Sequence, residues 1–188
     1  MVGKGRAAKR GATARGAGGR GKSSRTRAAA PKLAVGWREW VALGSLGLPA
    51  IKAKMDTGAR TSALHAFYVE PVEVGRKRMV RFGIHPVQRR RDIEVNCVAE
   101  IVDYRPVTDS GGHREMRYVI RAPLTVGERT WPVEITLTNR DDMMFRMLVG
   151  RTAMRANIVV DPRRSYVLGV LSTDCYGRTR ARRRPKRR

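Results

Sequence analysis

The sequence predicts an all-β domain, a barrel or a sandwich, flanked by two basic tails. Two observations lead there. From Leu33 onward the chain breaks into short segments of strand character. Turn signals separate them: Gly44-Ser45, Pro71, Val74-Gly75, Ser110-Gly111-Gly112, Val126-Gly127-Glu128 and Asp161-Pro162. No repeat of fixed period is visible, which argues against a solenoid.

The expected strands follow in order. Residues 35–43 and 48–55 flank Gly44-Ser45, and 79–84 and 93–101 follow Gly75. Segments 116–121 and 124–126 come after the paired glycines, and 131–137 after Gly127. The short apolar run 147–149 ends at Gly150, where a helix is expected over 151–156. A β-branched run at 158–160 and the segment 166–171 close the series.

The net charge of +24 is unevenly spread. Residues 1–32 carry ten Lys or Arg and residues 178–188 carry eight, with no acid in either, leaving 22 basic and 16 acidic residues between them. Both ends lack anything to bury, so disordered tails are expected over 1–32 and 173–188, with the folded domain at 33–172. Flexible Lys/Arg arms suit non-specific phosphate contact. Neither of the acid-free stretches 1–32 and 178–188 holds an aromatic residue for base stacking, which speaks against sequence-specific RNA recognition by them. No stretch reads as a membrane span, and two cysteines make no disulfide framework, so a cytoplasmic setting is expected.

The chemistry concentrates in IKAKMDTGARTSALHA, where an apolar approach delivers Asp56-Thr57-Gly58-Ala59-Arg60. Farther on come the hairpin signal Asp109-Ser110-Gly111-Gly112-His113 and then Leu148-Val149-Gly150-Arg151 before the expected helix. Asp-Thr-Gly alone is a weak signal, but the three motifs in this order are far more specific. Together with GWREWVAL, RFGIHP, DSGGHREMR, VEITLTNRDDMMFRMLVGRTAM and VDPRRSYVLG, they make residues 36–169 resemble a retropepsin-like aspartic protease. The narrower likeness is to bacterial proteins labelled "ATP-dependent zinc protease", associated with ATP-grasp glutamate ligases.

That resemblance implies a closed all-β barrel that works as a homodimer. Asp56, Thr57 and Gly58 would be the catalytic triplet, with one Asp56 from each chain. Leu148, Val149, Gly150 and Arg151 would support the catalytic loop, and residues 107–114 would form a flap. Ala59, Arg60, Gly111, Gly112 and His113 would meet a protein or peptide substrate.

The residues make chemical sense of these roles. Hydrolysis by two carboxylates needs one ionised and one protonated, a state enforced when like charges lie a few ångströms apart. This chain has no second Asp-Thr-Gly, so a symmetric partner must supply the other carboxylate. Arg60-Thr61 stands where viral relatives carry acids, which leaves the partner of Arg151 open and suggests an acidic, glutamate-rich substrate.

No cofactor or metal is expected. The sequence has no HExxH and no GxxxxGK[ST], and His65, His85 and His113 are scattered. Cys97 fits a buried apolar position, Asp141-Asp142 a solvated turn, and the methionines core or interface. The competing reading is a catalytically silent module of the same fold, tethered to nucleic acid or ribosomes by its tails.

Overall fold

The structure is a computed structural model that describes residues 31–109, 111–139, 144–155 and 157–179. The chain runs β1 (Leu33–Gly36), β2 (Arg38–Leu43), β3 (Leu48–Asp56), β4 (Ser62–His65), β5 (Tyr68–Val74) and β6 (Lys77–Ile84). It continues through β7 (Val95–Thr108), β8 (Arg114–Val126), β9 (Arg129–Thr138) and β10 (Met147–Gly150) to a single helical turn, α1 (Arg151–Met154), and β11 (Ile158–Asp161). The domain is thus mostly β. Among the described residues no helix is long and apolar enough to cross a membrane.

β1 and β11 pair in parallel as a small sheet. The other nine strands form one sheet in the order β2-β3-β10-β4-β9-β8-β7-β6-β5, and a further pairing of β2 with β8 joins Val41 to Val126. Six strands therefore close into a ring, from which β7, β6 and β5 extend. The core holds Leu43, Leu48, Ile51, Leu64, Phe82, Ile120, Leu124, Ile135 and Met147, all essentially inaccessible. Strand alternation supplies it: in β7, Cys97 and Ala99 point inward while Asn96, Val98 and Glu100 face solvent. Burial pushes the Cys97 thiol up to about 12, the behaviour of a small core residue and not of a nucleophile.

Several expected elements shift. Residues 35–43 divide at Trp37 into β1 and β2, and 116–121 and 124–126 merge into β8. β5 was not expected, because Pro71 reads as a turn. It is an edge strand, where a missing N–H costs no ladder hydrogen bond. Residues 166–171 form no strand. The amides of Val167 and Leu168 turn instead to Glu39, a buried carboxylate that accepts from Gly36 N at 2.7 Å, Val167 N at 2.8 Å and Leu168 N at 3.3 Å.

The packed chain also continues past 172, where a tail was expected to begin. A 3-10 turn at Asp174–Thr179 buries Tyr176, whose hydroxyl donates to Ala50 O at 2.7 Å and accepts from Ala50 N at 3.1 Å. The tail segments 1–30 and 180–188, with Ser110, residues 140–143 and Ala156, lie outside the described residues.

Candidate active site

β3 carries its apolar alternation up to Met55 and ends at Asp56, half-buried at the mouth of a cleft. The loop that follows turns on that carboxylate: Asp56 Oδ1 accepts from Gly58 N at 3.1 Å and Ala59 N at 3.2 Å. An Asp side chain capturing amides two and three residues on is the local chemistry that starts a tight turn. A Cβ on Gly58 would lie 3.3 Å from the same oxygen, so the small residue leaves the carboxylate room.

The topology brings Leu148-Val149-Gly150-Arg151 to this loop. β10 lies between β3 and β4, parallel to β3, with Gly150 in register with Asp56. Backbone approach there is too close for a side chain, since a Cβ on Gly150 would sit 2.5 Å from the Thr61 carbonyl carbon. The Gly150 amide donates to Ser62 Oγ at 3.1 Å.

Helix α1 then takes the carbonyls of the loop one after another. Arg151 Nη1 donates to Thr57 O and to Gly58 O, each at 2.8 Å. Arg151 N donates to Ala59 O at 2.9 Å, and Thr152 donates to Arg60 O through N at 3.1 Å and Oγ1 at 3.0 Å. Two amides of the first helical turn, which have no partner within the helix, are thereby satisfied. The question left by Arg60-Thr61 is answered: Arg151 binds backbone carbonyls where the viral pattern would have offered it acids.

The facing wall is the β7–β8 hairpin. A register shift between Ile101 and Asp103 interrupts the ladder as the arm projects outward. Asp109 closes its tip, with Oδ1 accepting from Gly111 N at 2.8 Å and His113 N at 3.1 Å, while Gly112 takes φ +84°.

The cleft between loop and hairpin has a volume of about 850 Å³. Asp56, Gly58, Ala59, Arg60, Leu148 and Arg151 all line it. Thr57 is exposed beside it, Val149 and Gly150 are buried behind it, and Gly111, Gly112 and His113 stand exposed at the hairpin tip, outside the lining.

Sequence reasoning missed the charged groups on the β7–β9 side. Arg105, Arg117 and Glu134 line the cleft, with Arg117 buried beside Glu115. Glu134 accepts from Arg105 at 3.0 Å and Arg121 at 3.1 Å, and these hydrogen bonds hold its carboxyl below the ordinary range. The signal was present, for Arg117 is in phase with the inward-facing Val119.

The histidines do not converge. His65 is buried in β4, His85 stacks on Phe67 at 4.3 Å near Glu94, and His113 is at the hairpin tip near Asp109. Among the described residues no group of three or more His, Cys, Asp or Glu could hold a metal ion, so these residues do not fit a zinc site.

Comparison with known proteins adds the family. Residues 34–169 match the RimB-like family, described as "Retropepsin-like aspartic endopeptidase RimB". The chain is 47% identical over 143 residues to a probable alpha-L-glutamate ligase of Parasynechococcus marenigrum, covering 76% of this chain and 31% of that one. A probable alpha-L-glutamate ligase of Shewanella pealeana is 46% identical over 138 residues, covering 73% and 30%. The chain thus spans under a third of the length of these curated relatives. It is also similar to the crystal structure of a Legionella pneumophila protein of unknown function (DUF785), with TM-score 0.58 and 25% identity over 72% of this chain and 97% of that one.

Proposed function

We propose that this chain, which belongs to the RimB-like family of retropepsin-like aspartic endopeptidases, cleaves peptide bonds with two Asp56 carboxylates, one from each chain of a homodimer. The strand ring is read as the closed barrel of that protease type, and residues 107–114 as its flap. The observation that carries the reading is the way the Asp56 loop is held. Every carbonyl from Thr57 to Arg60 is taken by Arg151 or Thr152, while the carboxylate faces a cleft able to seat a peptide.

Such a site needs a fixed carboxylate, because hydrolysis depends on holding the reacting groups in near-attack geometry. Asp56 Oδ1 is already committed to two amides, which orients the group. Across the symmetry axis the partner carboxylate would share one proton with it, so that one acts as base on water and the other as acid toward the substrate carbonyl. Thr57, exposed next to Asp56, would make the bond between the two chains, and the hairpin would cover the substrate and exclude water.

The substrate is proposed to be an acidic, glutamate-rich protein segment. Arg60 is exposed on the loop, and Arg105, Arg117 and Arg151 share its cleft. Arginine binds carboxylates in bidentate fashion. The glutamate ligase names of the relatives suit a substrate of the same chemistry.

Asp56→Asn tests the enzyme. It should abolish hydrolysis of a glutamate-rich peptide while leaving the thermal transition and the dimer unchanged. Cleavage that survives the substitution would rule out Asp56 as the catalytic group. Arg60→Glu tests the specificity: it should reduce cleavage of acidic peptides far more than of neutral ones, and an equal reduction would refute the filter.

A further inference from the structure

A second cavity, of about 870 Å³, shares no lining residue with the Asp56 cleft. Arg38 of β2, Lys52 of β3 and Arg89 and Arg91 of the β6–β7 connection surround it, with Arg146 buried against it and Tyr166 on its wall. Among the described residues no carboxylate lines it, and Arg38, Lys52, Arg89 and Arg91 form no ion pair. Like charges gathered this closely repel one another, so an anion bound among them would relieve that repulsion.

The cations are interleaved with aromatic rings. The Arg38 guanidinium lies 4.6 Å from the Trp37 ring and 5.1 Å from that of Tyr166, and Lys52 Nζ is 5.0 Å from Trp40 and 5.7 Å from Tyr166. The backbone marks the same place. Among the described residues two non-glycine positions have positive φ, Arg89 at 59° and Tyr166 at 52°, and both line this cavity. A bulky residue in that region is strained, and such strain gathers at functional sites.

The surroundings hold Tyr166 in place. Its amide donates to Arg38 O at 2.9 Å, and the next two amides are held by the buried Glu39 carboxylate.

We propose that this cavity binds single-stranded nucleic acid, as a site of the folded domain distinct from the basic tails. Phosphates would lie against Arg38, Lys52, Arg89 and Arg91, and a base against the Tyr166 ring or the guanidinium plane beside it. Cationic grooves carrying aromatic platforms are the general solution for this ligand. A polyglutamate segment would satisfy the arginines but has no flat π face to lie on the Tyr166 ring, which favours the nucleic acid.

The test is fluorescence anisotropy of the full-length chain with a labelled oligo(U) of about 12 nucleotides, over a salt series. Lys52→Gln/Arg91→Gln should reduce the slope of log K against log salt by about 1.4, about 0.7 for each phosphate of a single strand that is no longer neutralised. A bromouridine-substituted oligonucleotide should crosslink to the peptide containing Tyr166. An unchanged slope in the double variant overturns the proposal, as do crosslinks confined to residues 1–32 and 178–188. Competition by an oligoglutamate of equal charge as effective as that by oligo(U) also overturns it and makes the cavity a peptide site.

Discussion

Gly150→Ala tests whether β10 sets the position of the Asp56 loop. The added Cβ would lie 2.5 Å from Thr61 C, 2.6 Å from Thr61 O and 2.8 Å from Ser62 N, all backbone atoms that cannot rotate away. Ordinary contact begins near 3.4 Å, so β10 and the start of β4 must part by roughly 1 Å. Overpacking of this kind costs about 2 kcal/mol, about 4–8 °C in Tm for a domain of this size. Because Gly150 is in register with Asp56, the same displacement reaches the carboxylate, and a misplacement of about 1 Å costs roughly a hundred-fold in rate. Gly36→Ala is the matched control, since its Cβ would lie 2.4 Å from Arg164 O, a similar clash away from the cleft. Thermal unfolding and initial rates of peptide hydrolysis, taken well below both transitions, separate the effects. Both variants should lose Tm, and Gly150→Ala alone should lose most of its rate. Full activity in Gly150→Ala, or equal rate losses in the two, would refute the reasoning.

Three other substitutions or probes follow from the structure. Glu39→Ala strands the amides of Gly36, Val167 and Leu168 in a buried site, and chemical denaturation should show a loss of about 3 kcal/mol or more. Ellman's reagent at pH 8 should titrate exposed Cys175 at once. Cys97, buried and with its thiol pushed up to about 12, should react only after denaturation. Glu134 is held below its usual pKa by Arg105 and Arg121, so its stabilising contribution is complete above the ordinary glutamate value of about 4.3 and is lost as pH falls through the lowered one. Solvent screening at this partly exposed pair limits that contribution to about 1 kcal/mol or less. Glu134→Gln should therefore be less stable than wild type at neutral pH, with the gap closing on acidification; a gap constant with pH would show the ion pairs to be inert.

The fold class was legible because Gly and Pro punctuate this chain at nearly every strand end. Its irregularities were not. Pro71 signals a turn by composition, and only its place at the sheet edge makes it a strand residue. The segment 166–171 is apolar enough to read as a strand, but Glu39, more than a hundred residues earlier in the chain, takes the amides of Val167 and Leu168. That bond joins two distant stretches, so local pattern holds no trace of it.

At the cleft, the loop and the Leu-Val-Gly-Arg segment were readable because the backbone there requires particular residues. Asp56 must turn the chain and Gly150 must lack a side chain. On the opposite wall Arg117 was marked by its phase with Val119, whereas Arg105 and Glu134 entered only through the pairing of β7, β8 and β9, which no local motif encodes. The partner of Arg151 could not be read from side-chain types at all, since it is the backbone of residues 57 and 58.

The dependence of activity on two copies of Asp56 can be measured by subunit mixing. Wild-type and Asp56→Asn chains are denatured together, refolded at equal amounts, and assayed for peptide hydrolysis at constant total protein. If each site needs a carboxylate from both chains, only dimers with two wild-type subunits work, and activity falls to about one quarter of that of wild type alone. Activity of about one half, following the fraction of wild-type chains in proportion, would mean that a single Asp56 suffices and would contradict the shared site.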